Sequence, residues 1–290
     1  MTIAAGFVAR DGIVLCADTQ ETYGQLLKIN VGKIIARPES FVPNLPRIVF
    51  AGAGHGHFID KLANEAWKRV ASRNPSGDFT DVCDDIESSI KDTHEEFGRI
   101  FQQGAMPSAE IIYGVAASGR VGLFRAIGPI VNPVDRYASV GVGLYLADYI
   151  HDRLGLASPA LADSGFYEIL AIYLLQQAKD YIEGCGGESH VFTLKRNGKI
   201  DVVDPADVQL IAGHITQLDR NSSSVLMSTP DLNLNDDEME DRIEMFLTLA
   251  RNLRKEHREQ REQIEKLRSK NPLYEFLHKR KGDQGGGQSN

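Results

Sequence analysis

Met1-Thr2-Ile3-Ala4-Ala5-Gly6-Phe7-Val8-Ala9-Arg10-Asp11-Gly12-Ile13-Val14-Leu15-Cys16-Ala17-Asp18-Thr19 opens the chain, and its reading decides the fold. The apolar run Ile3 to Val8 is followed by Asp11-Gly12 and a second apolar run, Gly12 to Ala17. Asp-Gly between two such runs is a hairpin signal, because both residues tolerate the positive φ of a tight turn. The chain is therefore expected to start inside a strand, with almost no leader in front of it. Chain ends are normally the least ordered part of a domain, so an ordered start points to a structural use for the end itself.

Thr2 makes that use chemical. Threonine is small enough for the initiator Met1 to be removed ahead of it, which exposes an α-amine. One residue then holds a hydroxyl nucleophile and a base of reference pKa about 7.7–8.0. The amine, directly or through a water, takes the hydroxyl proton and later returns it to a leaving group.

The run Thr2…Gly6…Asp11-Gly12-Ile13-Val14-Leu15…Ala17-Asp18-Thr19…Thr22…Asn30-Val31-Gly32-Lys33-Ile34 resembles the start of a proteasome β-subunit. In that family an N-terminal threonine precedes a strand, a D-G-V-V-L-A-A-D hairpin, and a lysine before the next strand. Phe50-Ala51-Gly52-Ala53-Gly54 is similar to the family's A-G-x-A segment. Ser139-Val140-Gly141-Val142-Gly143-Leu144-Tyr145-Leu146-Ala147 is similar to its V-G-S-G-x-x-Y-A segment, and Cys185-Gly186-Gly187-Glu188-Ser189-His190-Val191-Phe192 to the start of its S-G-G strand. The segments run in family order from Thr2 to Phe192.

The resemblance implies an α+β fold: a four-layer α-β-β-α sandwich of the N-terminal-nucleophile hydrolase type. It implies Thr2 as nucleophile and base, and Lys33 beside its hydroxyl, where an ammonium favours the alkoxide-like form. Asp18 would pair with Lys33, the Gly52 N–H would face a tetrahedral oxyanion, and Thr22 would contact the substrate backbone. No cofactor is required. Peptide or protein substrates and self-association are expected. Without the motif, Asp18 and Lys33 read as a surface ion pair.

Three departures bear on the amine. The serine of the family's G-S-G segment is Val142 here, and the serine before G-G is Cys185. The family's aspartate three residues earlier falls on Ile182, with Asp180 displaced by two residues. The spacing from Asp18 to Lys33 is also one residue short. Retention of Thr2, Asp18 and Lys33 favours a threonine-type peptidase, while Val142 and Ile182 favour a non-catalytic structural subunit that keeps the fold. If an amine instead of water resolved the acyl-ester, the same chemistry would be transpeptidation.

Composition is compatible. The 290 residues, 42% of them hydrophobic, suffice for one large domain plus an appendage. The net charge of −8 gives no support for nucleic-acid binding. Cys16, Cys83 and Cys185 have no metal-like spacing and fit a reducing cytoplasm, and Cys16 and Cys83 read as packing thiols. No signal peptide is expected ahead of Thr2, and no apolar stretch is long enough to span a bilayer.

Further along, Thr19 to Gly32 reads as a loop, Lys33 to Ala36 and Arg47 to Gly52 as strands, and Phe58 to Ser72 as a helix. The turn Gly52-Ala53-Gly54-His55-Gly56 lacks the Gly-Lys-Ser/Thr ending of a phosphate loop. His55 and His57 would flank the site. Asp78 is an expected N-cap for a helix carrying Val82, Ile86, Ile90, Phe97 and Phe101. Ala109 to Ala117 and Arg120 to Ile127 form a second hairpin around Ser118-Gly119. A strand at Tyr137 to Gly141 and helices at Leu144 to Leu154 and Ser164 to Glu183 follow. A third hairpin spans Ser189 to Val203. The hydrolase domain is expected to cover 1–221, a polar linker 222–235 and a charged helical tail 236–281, with 282–290 disordered. Met239, Ile243, Phe246, Ala250 and Leu253 recur at helical spacing in the tail, as a surface helix or as a coiled-coil or partner-docking helix. Leu273 to Leu277 reads as a small apolar anchor.

Overall fold

A computed structural model describes residues 2–23, 27–73, 77–101, 106–154, 162–231 and 233–269. In chain order the strands and helices begin with β1 (Ile3–Ala9), β2 (Gly12–Asp18), β3 (Gln20–Tyr23), β4 (Leu27–Asn30), β5 (Ile34–Arg37) and β6 (Arg47–Gly54). Helices α1 (Gly56–Arg73) and α2 (Phe79–Ile100) follow, then β7 (Ala109–Ala117), β8 (Arg120–Ile127), β9 (Ile130–Val134) and β10 (Tyr137–Gly141). The chain continues through α3 (Leu144–Arg153), α4 (Ser164–Tyr181), β11 (Ser189–Lys195), β12 (Ile200–Val202), α5 (Pro205–Ser228) and α6 (Asp236–Ser269).

The opening hairpin forms as its sequence dictates: β1 and β2 pair antiparallel, with Ala9 opposite Gly12 across the turn. They lie at the middle of a five-stranded antiparallel sheet ordered β10-β1-β2-β11-β12. A second five-stranded antiparallel sheet is ordered β5-β6-β7-β8-β9. Side chains alternate across a strand, so Ala4, Ile13, Leu15 and Ala17 meet Val49, Ala51, Ile112 and Leu123 in one core between the sheets. On β6 the intervening Ile48 and Phe50 turn the other way, against Leu62, Ala66 and Val70 of α1 and Val82, Ile86 and Ile90 of α2. α4 packs on β1, β2 and β11, and its Tyr167 stacks on Phe7 with ring centroids 5.5 Å apart. Because strands such as β2 and β6 are buried on both faces, they read as continuous apolar runs. Burial of each large side chain contributes about 1.5–3 kcal/mol.

Most local signals fold as read. Asp78 caps α2, its side chain accepting from the Thr80 N–H at 3.2 Å. Ser118-Gly119 turns the β7–β8 hairpin, both residues at positive φ. The stretch Thr19 to Gly32, expected as a loop, instead contains the two-stranded ribbon β3–β4. Its strands are short, and β4 is largely exposed, so no alternating pattern marks them.

The chain divides into two compact units, Met1–Val208 and Gln209–Asn290. α5 continues to Ser228, so the front of the expected polar linker is helical. Within the second unit α5 and α6 run antiparallel: His214 Nδ1 lies 3.3 Å from His257 Nδ1, and Arg242 donates to Ser228 Oγ at 2.7 Å. A reciprocal cap starts α6, with the Glu238 N–H on Asn235 Oδ1 and the Asn235 N–H on Glu238 Oε2. The Leu273 to Leu277 segment and 282–290 lie outside the described residues. Among the described residues, no helix is long and apolar enough to cross a membrane.

Candidate active site

Thr2, one residue ahead of β1, is held by its backbone. The Val142 N–H donates to the Thr2 carbonyl at 3.0 Å, and the Ile3 N–H donates to Asp18 Oδ1 at 3.2 Å. Gly141, at φ +93°, lets the chain pass this close: a Cβ there would stand 2.1 Å from the Thr2 carbonyl oxygen.

Asp18 ends β2 and is fully buried. Its Oδ1 accepts from Lys33 Nζ at 2.8 Å, and its Oδ2 accepts from the Gly186 N–H at 3.1 Å. Lys33 lies just before β5 and also donates to the Gln20 carbonyl. This is a buried, three-donor carboxylate, not the surface pair that composition alone would allow. Thr2, Lys33 and Gly52 line one cavity of about 440 Å³, with Asp18 behind Lys33. Gly52 lies opposite Ile111 where β6 pairs with β7, and a Cβ there would come within 2.9 Å of the Glu110 carbonyl oxygen. His55, between β6 and α1, and His57, in the first turn of α1, line the same cavity. Thr22 lies in β3, and its side chain is outside the described residues.

At the departures from the family pattern, Val142 contributes its backbone N–H to Thr2 and exposes its side chain. Burial, with Asp18 adding to it and Lys33 opposing, pushes the Cys185 thiol up to about 11, so it remains protonated at neutral pH. Ile182 follows α4 and donates its N–H to the Ala178 carbonyl. Asp180 is exposed and accepts from the Gln176 amide. Burial pushes the Cys16 thiol up to about 12 and the Cys83 thiol also to about 12, in keeping with packing roles.

One group near Asp18 has no counterpart in the sequence reading. Lys179, in the last turn of α4, donates to Ser189 Oγ at 2.7 Å, and Ser189 pairs with Asp18 across β2 and β11. Burial pulls the Lys179 ammonium below its ordinary value, with Asp18 and Glu188 opposing. The turn before β11 is tied to the residue that follows β2 by the Glu188 N–H on Thr19 Oγ1 at 2.7 Å. A short Gly-Gly-Glu-Ser run beside the end of β2 was the available signal.

Two facing antiparallel sheets, with the chain's first strand central and its second residue at a cavity, define a proteasome-like fold. No known family profile and no curated protein sequence matches the chain. Solved structures do. Anbu, described as an ancestral beta-subunit, from Yersinia bercovieri is 13% identical, with a TM-score of 0.65 over 80% of this chain and 99% of that one. A Gly-1 mutant of Anbu from Hyphomicrobium sp. strain MC1 is 13% identical, with a TM-score of 0.63 over 77% of this chain and 97% of that one. Anbu of Pseudomonas aeruginosa, described in a helical assembly, is 14% identical, with a TM-score of 0.60 over 80% of this chain and 100% of that one. At these identities the likeness is one of fold.

Proposed function

We propose that the chain is a threonine-type N-terminal-nucleophile amide hydrolase, a peptidase whose domain is the four-layer α-β-β-α sandwich and whose nucleophile is Thr2 after removal of Met1. The observation that carries this reading is the cavity lined by Thr2, Lys33 and Gly52 with a buried Asp18 accepting from Lys33 at 2.8 Å. In the reaction the Thr2 amine takes the hydroxyl proton as Oγ forms a bond to the substrate carbonyl carbon. Lys33 lowers the cost of charge on Oγ, and Asp18 fixes the Lys33 ammonium. The Gly52 N–H stabilises the oxyanion. Collapse breaks the C–N bond, and the leaving amine takes the proton. Water, deprotonated by the now-free Thr2 amine, then resolves the acyl-ester, and the proton returns to Oγ to restore Thr2. Thr22 holds the substrate backbone on the strength of the resemblance alone.

Self-association is part of the proposal, supported by the helical assembly described for the Pseudomonas aeruginosa protein. The C-terminal helices would serve as a docking element, for which the exposed Ile243, Met245 and Leu247 of α6 offer apolar surface. A structural subunit without activity is the competing reading, favoured by Val142 and Ile182 where the family holds its amine. Mass spectrometry of the purified protein before and after a small vinyl sulfone, with Thr2→Ala as control, separates the two. A chain beginning at Thr2 that gains the adduct, lost in the control, is expected. A retained Met1 or an unlabelled Thr2 overturns the hydrolase reading.

A further inference from the structure

The charges around Thr2 do not balance. The cavity takes three acidic or basic side chains besides its histidines: Lys33, Glu21 and Asp60. Lys33 is committed to buried Asp18, which is not itself a lining residue. That leaves the Glu21 and Asp60 carboxylates, and among the described residues neither has an ion-pair or hydrogen-bond partner. Glu21 is half-buried and reaches across from β3 to α1, its Oε1 3.6 Å from where a Cβ would stand on Gly56. The first turn of α1 has no acidic residue of its own, and the positive end of the helix dipole favours negative charge there. Asp60 is exposed on the same helix. Val31, Ile35 and Ile59 add apolar surface to the same lining. A cavity that combines apolar lining with two carboxylates suits a side chain with an aliphatic stem and a cationic head.

We propose that this cavity selects lysine or arginine on the acyl side of the bond attacked by Thr2, with Glu21 and Asp60 as counter-charges and specificity-determining residues. The proposal rests on the reading of Thr2 as nucleophile and names the substrate class for it. A purely structural role for Glu21, steadying the start of α1, predicts no dependence on substrate charge.

The test is a series of peptide vinyl sulfones that differ only in the side chain next to the sulfone: Gly, Leu, Lys, Arg or Glu. Thr2 Oγ adds to the vinyl carbon, its proton passes to the carbon beside the sulfone, and no group leaves. Rates of adduct formation on the full chain are read by intact mass at pH 8. Lys and Arg probes are expected to react faster than the Glu probe by roughly 10- to 100-fold, the range of a charge-assisted hydrogen bond. In Glu21→Gln/Asp60→Asn the Lys-to-Leu rate ratio is expected to collapse towards one. In the parent that ratio should fall as salt is raised. Labelling by Gly and Leu probes with no advantage for Lys or Arg overturns the specificity and leaves the nucleophile standing. Failure of every probe overturns the nucleophile and the specificity with it. A charge preference that survives the double substitution overturns the assignment to Glu21 and Asp60.

Discussion

Replacing Lys33 with methionine tests whether the centre of the site is one electrostatic unit. The Asp18 side chain is 0% exposed and that of Lys33 10% exposed, with Nζ 2.8 Å from Oδ1. Removing one partner of a buried pair costs about 3–5 kcal/mol, most of it the penalty of stranding the other charge. Here the carboxylate keeps two backbone donors, the Ile3 N–H at 3.2 Å and the Gly186 N–H at 3.1 Å, and the adjoining cavity admits water. Both reduce the cost, while the Gln20 carbonyl loses its ammonium donor and adds to it. The expected loss is about 3 kcal/mol. Trp67 is the only tryptophan and lies against the α1–α2 core, so its fluorescence in urea follows the first unit. At an m-value of about 2 kcal/mol/M the midpoint should fall by about 1.5 M with the slope unchanged. Asp18→Asn in the Lys33→Met background should recover at least half of the loss, because no buried charge is left unpaired. Thr2 labelling should be lost in both. A Lys33→Met midpoint within about 0.2 M of the parent, or additive single and double effects, refutes the buried unit.

Gly141→Ala places a Cβ 2.1 Å from the Thr2 carbonyl oxygen at a φ of +93°. It should cost roughly 1–3 kcal/mol of stability by urea titration and slow Thr2 labelling at least about tenfold through misplacement; unchanged labelling would break the link between residue 141 and the proposed chemistry of Thr2. Asp11 tests the outer end of the opening hairpin. Burial pushes its carboxyl up, but hydrogen bonds from Lys195 and Ser164 outweigh that and hold it at about 2. A folded value below the ordinary one of about 3.9 stabilises the fold fully above that ordinary value, and the contribution is lost as pH falls through about 2. Its side chain is 41% exposed, so solvent screening leaves about 1 kcal/mol. Asp11→Asn should lower the urea midpoint by about 0.5 M at pH 7, at an m-value of about 2 kcal/mol/M, and the gap to the parent should narrow steadily from pH 4 downward.

What was legible in the sequence was local. Asp11-Gly12, Asp78 and Ser118-Gly119 each determine a turn or cap within a few residues of themselves, and each element starts or reverses where they stand. β9 was missed because Pro133 sits inside it and Gly128-Pro129 precedes it; an edge strand tolerates that proline where a central strand would not. α5 was missed because Asn221-Ser222-Ser223-Ser224 reads as linker. The Ser222 and Ser223 hydroxyls donate to the Asp219 carbonyl inside the helix, and its start was signalled by Asp204, which accepts from the Ala206 N–H, with proline at the first helical position. Thr2, Asp18 and Lys33 could be named from a motif spread over adjacent strands. Lys179 and Ser189 could not, because their relation to Asp18 exists only once β11 pairs with β2 across most of the chain.

That pairing also bears on the departures at Val142, Cys185 and Ile182. If side-chain hydroxyls and carboxylates held Thr2 in place, their loss would release it. Here the holding bonds are main-chain: Val142 N–H to the Thr2 carbonyl, Ile3 N–H and Gly186 N–H to Asp18. A backbone donor is indifferent to the side chain it carries, so residues 142 and 185 can change while the residue at position 2 stays registered against Lys33. What such changes alter is the surroundings of a Thr2 amine, and therefore its proton affinity. Position and protonation are thus separable in this fold: the first is built into the ladder between β10, β1, β2 and β11, and the second is open to adjustment by nearby side chains. An altered amine shell is on these grounds a reason to expect a shifted pH profile for Thr2 chemistry, and not by itself a reason to expect its absence.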